Sequence, residues 1–338
     1  MKKTTHLHLT TIISIAICTL IACTNPTAQT QKDPDQETET APQTWAEKLG
    51  FPAGKKVLIL HADDIGMCPE ANISAKRQLS HDEIQSAAVM MPCPNAEEFI
   101  EWAIEHPNED VGLHLTLTSE WKTYRWGPVS DPADVPGLID PDGKLWRDVP
   151  PVVQNATAAE VETEIRAQVE KAISLGYRPD HIDTHMGTLY GSHEFTAAYL
   201  KVAEEYQIPA MVIDMSNPEV VKGFKDKGYP IGPEMIDLVN NYSLPKLDFF
   251  SSTINGDSYE DKCEKFFGLV KSIPPGLTEI IFHPSELTDN LKTITNSWQQ
   301  RSWESQMFAD PKVKAFLEDE GIIFTNWKDI MKRFKERK

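Results

Sequence analysis

From residue 45 onward the chain alternates short apolar runs with longer stretches whose apolar positions recur at helical spacing. Val57-Leu58-Ile59-Leu60 is a continuous apolar run, the pattern of a strand buried on both faces. A helix is predicted over Pro69–Leu79, a strand over Ala87–Met91, a helix opened by Asn95 and running to Ile104, and a strand over Val111–Leu117. Residues 118–156 read as a long loop. Thr157–Leu175 is a helix with Glu160 three residues after Thr157 as a capping box and Gly176 as its stop. Further strands are expected over His181–His185, Met211–Asp214, Phe249–Ile254, Ile280–Phe282 and Ile322–Phe324. Helices are expected over Glu194–Tyr206, Tyr259–Lys271 and Val313–Glu318, with two short ones within 219–242 and a solvated basic helix face over Lys328–Lys338. Strand–helix alternation repeated seven or eight times predicts an α/β fold with a parallel sheet, closed as a barrel or doubly wound.

Residues 1–44 break this pattern. Lys2 and Lys3 precede the apolar stretch Ile12–Ala22, which is short for a membrane span and fits the core of an export signal. It ends in Leu20-Ile21-Ala22-Cys23, which resembles the lipobox of bacterial lipoproteins, where the Cys is lipidated after cleavage. Residues 1–22 are therefore expected to be a lipoprotein signal peptide, with membrane attachment through a lipid on Cys23 and an exported, membrane-anchored location. An uncleaved anchor helix or ordinary cleavage near Ala22 is the alternative. Residues 23–44 lack aromatics and large aliphatics, are rich in Thr, Gln, Pro and acid, and are expected to be a disordered tether. The folded domain is then 45–338.

The whole chain has 338 residues and a net charge of −18, with 40% hydrophobic and 25% charged residues. The proportions are globular, and the acidity is a poor match for phosphate backbones, so no nucleic-acid partner is expected. Five scattered cysteines make neither a disulfide scaffold nor a structural zinc site. Cys68, Cys93 and Cys263 are expected as small buried apolar residues.

Four polar clusters fall at predicted strand ends, where α/β folds build their sites. His61-Ala62-Asp63-Asp64-Ile65-Gly66 follows the first strand. Its paired carboxylates suit one metal ligand and one base, or simply a turn with two solvated acids. Gly112-Leu113-His114-Leu115-Thr116-Leu117-Thr118 places His114, Thr116 and Thr118 on one strand face, with His114 a ligand or a structural histidine. In His181-Ile182-Asp183-Thr184-His185 the strand period sends His181, Asp183 and His185 to one face, costly to bury unless paired or holding a metal. Glu279-Ile280-Ile281-Phe282-His283-Pro284 ends a strand in a lone His.

Together HADDIG, GLHLTLT, HIDTHMG and IIFHPS resemble, in order and spacing, the YdjC-like carbohydrate deacetylases, relatives of the polysaccharide deacetylases. The resemblance runs from about Val57 to Pro284 and more loosely to the C-terminus. It implies a single deformed (β/α) barrel of seven or eight parallel strands, TIM-barrel-like, and metal-dependent removal of acetyl groups from amino sugars. Carried over by position, it implies Asp64, His114 and His185 as ligands of a divalent ion (Mg2+ or Zn2+), Asp63 as catalytic base and His283 as the histidine of the late motif. Two His and one carboxylate leave open positions on an ion for water and substrate. Where the family usually has Asn-Ala-Asp-Asp-Phe-Gly, His61 and Ile65 replace Asn and Phe. Met186-Gly187-Thr188-Leu189-Tyr190 stands where further histidines are often seen. Trp121, Arg125 and Trp126 in the long loop, with Tyr124 and Trp146 beside them, and Tyr190 are candidate walls for an acetylated carbohydrate. The loop aromatics alternatively cover the barrel end as a satellite core. Another metal-dependent barrel hydrolase, acting on a phosphodiester or a non-sugar amide, and a non-catalytic glycan-binding lipoprotein are the alternatives.

Overall fold

The computed structural model describes residues 43–337, so the signal peptide, Cys23 and nearly all of the expected tether lie outside the described residues. Thr44 caps the first helix, α1 (Trp45–Lys48), through a capping box with Glu47. The chain then enters β1 (Lys56–Ile65), α2 (Pro69–Ser80), β2 (Ser86–Val89), α3 (Ala96–Glu105) and β3 (Val111–Leu115). A long connection contains α4 (Val149–Asn155) and leads to α5 (Ala158–Ser174), β4 (Ile182–Thr184) and α6 (His193–Tyr206). Next come α7 (Pro218–Asp226), α8 (Pro233–Asn241), β5 (Phe249–Ser252), α9 (Tyr259–Ser272) and β6 (Gly276–Phe282). The chain closes with α10 (Asp289–Ile294), α11 (Trp298–Met307), α12 (Pro311–Asp319), β7 (Ile323–Phe324) and α13 (Trp327–Glu336).

All ladders are parallel, in the order β4-β3-β2-β1-β6-β5, with β7 paired to the start of β1. The sheet curls into a half-barrel. Parallel bridges Ile182↔Ala210 and Ile213↔Leu247 carry the curl on from β4 toward β5. The expected strand Met211–Asp214 therefore exists only as a bridged segment, because each of its neighbours offers it one isolated bridge rather than a ladder. Val57, Leu58, Ile59 and Leu60 are buried, as a central parallel strand with covered faces requires. The long helix α5 begins with the Thr157–Glu160 capping box. The expected loop 118–156 also folds locally, into α4 and a short turn over Pro136–Leu138. Cys68, Cys93 and Cys263 are free and buried. Among the described residues no helix is long and apolar enough to cross a membrane.

Two local features aim the site. Strand β1 extends through Ile65, and its pairing with β2 shifts register between Ala62 and Ile65. Within that irregularity Asp64 takes φ 61°, a left-handed conformation that is uncommon for a residue with a side chain. Regular pleating would send Asp63 and Asp64 to opposite faces; the bulge turns both toward one cavity. Gly66 follows with φ 84°, and a Cβ there would lie 2.8 Å from the Ala96 backbone. At the end of β4 the chain turns through Met186 (φ 53°) and Gly187 (φ 66°), which ends the strand at Thr184.

Candidate functional site

The ends of β1, β3 and β4 bring together residues that are far apart in sequence. Single ligand-type atoms of Asp64, His114 and His185 lie within 4.8 Å of one another, all three side chains buried. Asp64 Oδ1 is the shared focus, 3.2 Å from His185 Nδ1 and 3.5 Å from His114 Nε2. The far nitrogens of both rings are engaged. His114 Nδ1 lies 2.6 Å from Asp183 Oδ1, and His185 Nε2 lies 3.1 Å from Glu120 Oε2. A carboxylate only accepts, so each far nitrogen carries a proton, and each near nitrogen, beside Asp64 Oδ1, holds either a second proton or a lone pair available to an ion. Two lone pairs and a carboxylate oxygen facing one point need either a cation or an extra proton on each ring. Burial works to lower His185, but Glu120 and Asp64 push it up to about 10. His114 is likewise raised, against burial, by Asp183 and Asp63. Asp64 Oδ1 is buried without a hydrogen-bond partner. The three side chains are thus a fitting ligand set for one divalent ion.

Asp63 stands beside this set. Its Oδ1 lies 3.2 Å from His61 Nε2 and 3.8 Å from His114 Nδ1, and its Oδ2 lies 4.0 Å from His283 Nε2. His283 is the more open partner, with a side chain 36% exposed. Its backbone N–H donates to Glu304 Oε2 at 2.9 Å.

Beneath the site lies a second buried layer. His61 joins Asp183 (3.0 Å) through Nε2 and Ser86 (3.0 Å) through Nδ1, and Ser86 donates to Asp110 (2.6 Å). Burial drives the Glu279 carboxyl up to about 7, and Trp327 Nε1 donates to it at 2.9 Å. His181 belongs to this lower layer: it pairs with Asp110 at 3.1 Å and stacks on Trp327. The shared strand face places His181, Asp183 and His185 at successive depths, and of these only His185 borders the cavity.

A cavity of about 390 Å³ opens over the triad and includes Asp63, His283 and Tyr190 in its lining. Arg125 and Trp126 do not border it. Arg125 is spent on the loop itself, through Asp140 (2.7 Å) and the carbonyls of Ser119 and Leu145. Trp126 is buried and donates to the Thr118 carbonyl at 2.9 Å. Trp121 packs edge-on against Trp126 and stands 5.5 Å from the Arg301 guanidinium, also outside the lining. These three are placed as a satellite core that backs the site.

The most consequential residue missed by the sequence is Arg301, on α11. Its guanidinium lies 2.5 Å from Asp64 Oδ2 and is buried. Burial alone would raise the Asp64 carboxyl; Arg301, together with His283 and His185, holds it well below the ordinary range. Arg301 thereby occupies one oxygen of Asp64 and leaves Oδ1 for a cation. Nothing in the local text around Trp298–Met307 marks this role. Glu120 was also missed, although an acid just beyond the strand-end His-x-Thr-x-Thr pattern was the available signal.

The pattern of the YdjC-like protein family matches residues 57–319, well over half of the chain and spanning all four motifs. The chain belongs to the YdjC-like family. This YdjC-like chain is 26% identical over 272 residues to a carbohydrate deacetylase of Thermoanaerobacter pseudethanolicus, covering 80% of this chain and 98% of the relative. It is 29% identical over 274 residues to a carbohydrate deacetylase of Thermus thermophilus, covering 80% and 92%. A crystal structure from Enterococcus faecalis V583, provisionally described as a cellobiose-phosphate cleavage protein, superposes with a TM-score of 0.65 at 24% identity, covering 82% of this chain and 99% of the other. That likeness concerns the fold.

Proposed function

We propose that this YdjC-like chain is a metal-dependent hydrolase that removes N-acetyl groups from amino sugars or acetylated oligosaccharides. The observation that carries the proposal is the convergence of the Asp64 carboxylate with the lone pairs of His114 and His185, beside a second carboxylate on Asp63. The relatives named carbohydrate deacetylases support the substrate class. Asp64, His114 and His185 hold a divalent ion, Mg2+ or Zn2+. When bound, such an ion supplies Lewis acidity toward a water and an amide carbonyl.

The chain's own residues supply the proton transfers. Asp63, fixed through Oδ1 by His61, takes the proton of the attacking water on Oδ2, the oxygen that faces His283. His283 borders the cavity and protonates the leaving amine. Asp183 and Glu120 keep the two ligand imidazoles in the tautomer that binds cations. Arg301 keeps Asp64 ionised. The proposal extends to location: residues 1–22 direct export, a lipid on Cys23 anchors the protein to a membrane, and the following segment tethers the domain.

The test is acetate release from N-acetylglucosamine oligomers by the purified protein, with chelator and with Zn2+ or Mg2+ added back. Release should stop with chelator and return with the ion. Replacing His114 or His185 with Ala should abolish metal retention and turnover. Asp63→Asn should retain the ion and lower turnover on the order of 100-fold. Chelator-insensitive release, or full activity in His114→Ala, would refute the proposal.

A further inference from the structure

The cavity over the triad has two unlike halves. The carboxylates of Asp63, Asp64 and Glu120, the imidazoles of His114, His185 and His283 and the Arg301 guanidinium make up the charged part of its lining. The opposite half is built by the bridged segment after β4, by α7 and the turn after it, and by β5. Met211, Ile213 and Met215 are buried there, and Phe224, Tyr229 and Phe250 complete the wall. Phe224 and Tyr229 meet edge-on at 5.5 Å. Tyr190 also faces this half, but its hydroxyl is already spent on the Met211 carbonyl at 2.5 Å, so it offers a ring and no donor. The Thr184 hydroxyl accepts from the Leu189 N–H and keeps its own proton to donate. Beside it, the side-chain hydroxyls of this half are those of Ser252 and Tyr229, and the Tyr229 hydroxyl stands 3.1 Å from where a Gly187 Cβ would be.

A pyranose carries hydroxyls around its whole rim, and each one buried without a partner is costly. This half of the cavity therefore suits an apolar group better than a sugar. The whole cavity, at about 390 Å³, is also far larger than an acetyl methyl requires. The two flexible thioethers of Met211 and Met215 and the aromatic rings form a lining that adapts to a chain of variable length. We propose that the apolar half receives the acyl chain of the substrate, and that the preferred substrate is an amino sugar N-acylated with a chain longer than acetyl, of about four to eight carbons. The inference rests on the amide-hydrolase reading above, keeps its amino-sugar substrate and widens the acyl group from acetyl to a longer chain. The reaction is unchanged in its balance. Water oxygen forms the new bond to the acyl carbon, and the C–N bond breaks. The amine leaves with a proton, and the fatty carboxylate remains with its chain in the apolar half.

The experiment has two arms, both on the purified protein loaded with Zn2+. In the first, binding of acetate, butyrate and hexanoate is measured by calorimetry. Affinity should rise about fourfold per added methylene, the equivalent of ~0.8 kcal/mol. Phe224→Ala, at a half-buried wall position on α7, should cut the hexanoate-to-acetate ratio at least threefold. In the second arm, amine release is followed from N-acetyl-, N-butyryl- and N-hexanoyl-glucosamine and the corresponding disaccharides. Release that is fastest from the longer acyl groups supports the inference and the hydrolase reading together. Tighter hexanoate binding that depends on Phe224, without amine release from any amide, upholds the apolar site and overturns the hydrolase reading. Hexanoate binding no tighter than acetate, a ratio untouched by Phe224→Ala, or turnover confined to N-acetyl sugars overturns the inference.

Discussion

Asp183 touches no part of the cavity, yet the proposed ion should depend on it. Its Oδ1 lies 2.6 Å from His114 Nδ1 and its Oδ2 3.0 Å from His61 Nε2, and the side chain is buried. Asp183→Asn keeps the volume and exchanges one acceptor for a donor. The amide oxygen can serve one imidazole, and the amide NH2 must then face the other. If His114 loses its acceptor, the proton moves between its nitrogens and Nε2 no longer offers a lone pair to the ion. If His61 loses it, the amide NH2 faces His61 Nε2, which then turns a lone pair to it, and the ion pair of His61 with Asp63 Oδ1 at 3.2 Å is lost. Outer partners of this kind usually contribute 10–100-fold to metal affinity, or ~1.4–2.7 kcal/mol. The short, buried geometry places Asp183 toward the upper end of that range. Competition of the protein with a chromophoric chelator for Zn2+ would measure the loss. Circular dichroism and the melting temperature of the metal-free variant would separate it from misfolding. A folded Asp183→Asn protein that binds Zn2+ within twofold of the parent would refute the argument.

Arg301→Met should destabilise the metal-free protein by about 3–5 kcal/mol, since it strands the buried Asp64 carboxylate. A divalent ion should recover part of that loss, and urea denaturation with and without Zn2+ would reveal an equal loss if the pairing were unimportant. Gly66→Ala combines a left-handed backbone with a Cβ 2.8 Å from the Ala96 Cα and should cost about 2 kcal/mol or more, read from the shift of the urea midpoint. Glu304 supplies a pH test. Burial by itself raises its carboxyl, but Lys262 at 2.9 Å, with His283 and Thr253, brings it below the ordinary 4.5. A depressed carboxyl contributes its full stability above the unfolded value and loses it as pH falls through the folded one. The stability gap between the parent and Glu304→Gln should thus be constant above about pH 5 and narrow on acidification below 4.5; a gap that widens in acid would contradict the sign.

Periodicity and caps in the sequence determined most of the architecture, because they are local properties. The Val57–Leu60 run and the Thr157 capping box each specify an element through residues a few positions apart. The same holds for His114 and His185, whose strand-end positions mark them before any fold is known. Tertiary structure decided the rest. The weak segment Met211–Asp214 is apolar enough for a strand, but isolated bridges replace the ladder its neighbours would have to provide. Arg125 and Trp126 look suited to a sugar, yet their hydrogen-bonding groups close onto their own loop. Arg301 reaches Asp64 from 237 residues away, and Phe224 with Tyr229 forms a cavity wall from a segment without a motif. The kinds of residue able to bind an ion were written locally. Their convergence on one oxygen of Asp64, and the partners that orient and charge them, depend on distances between separate elements, which packing sets and a one-dimensional pattern does not carry.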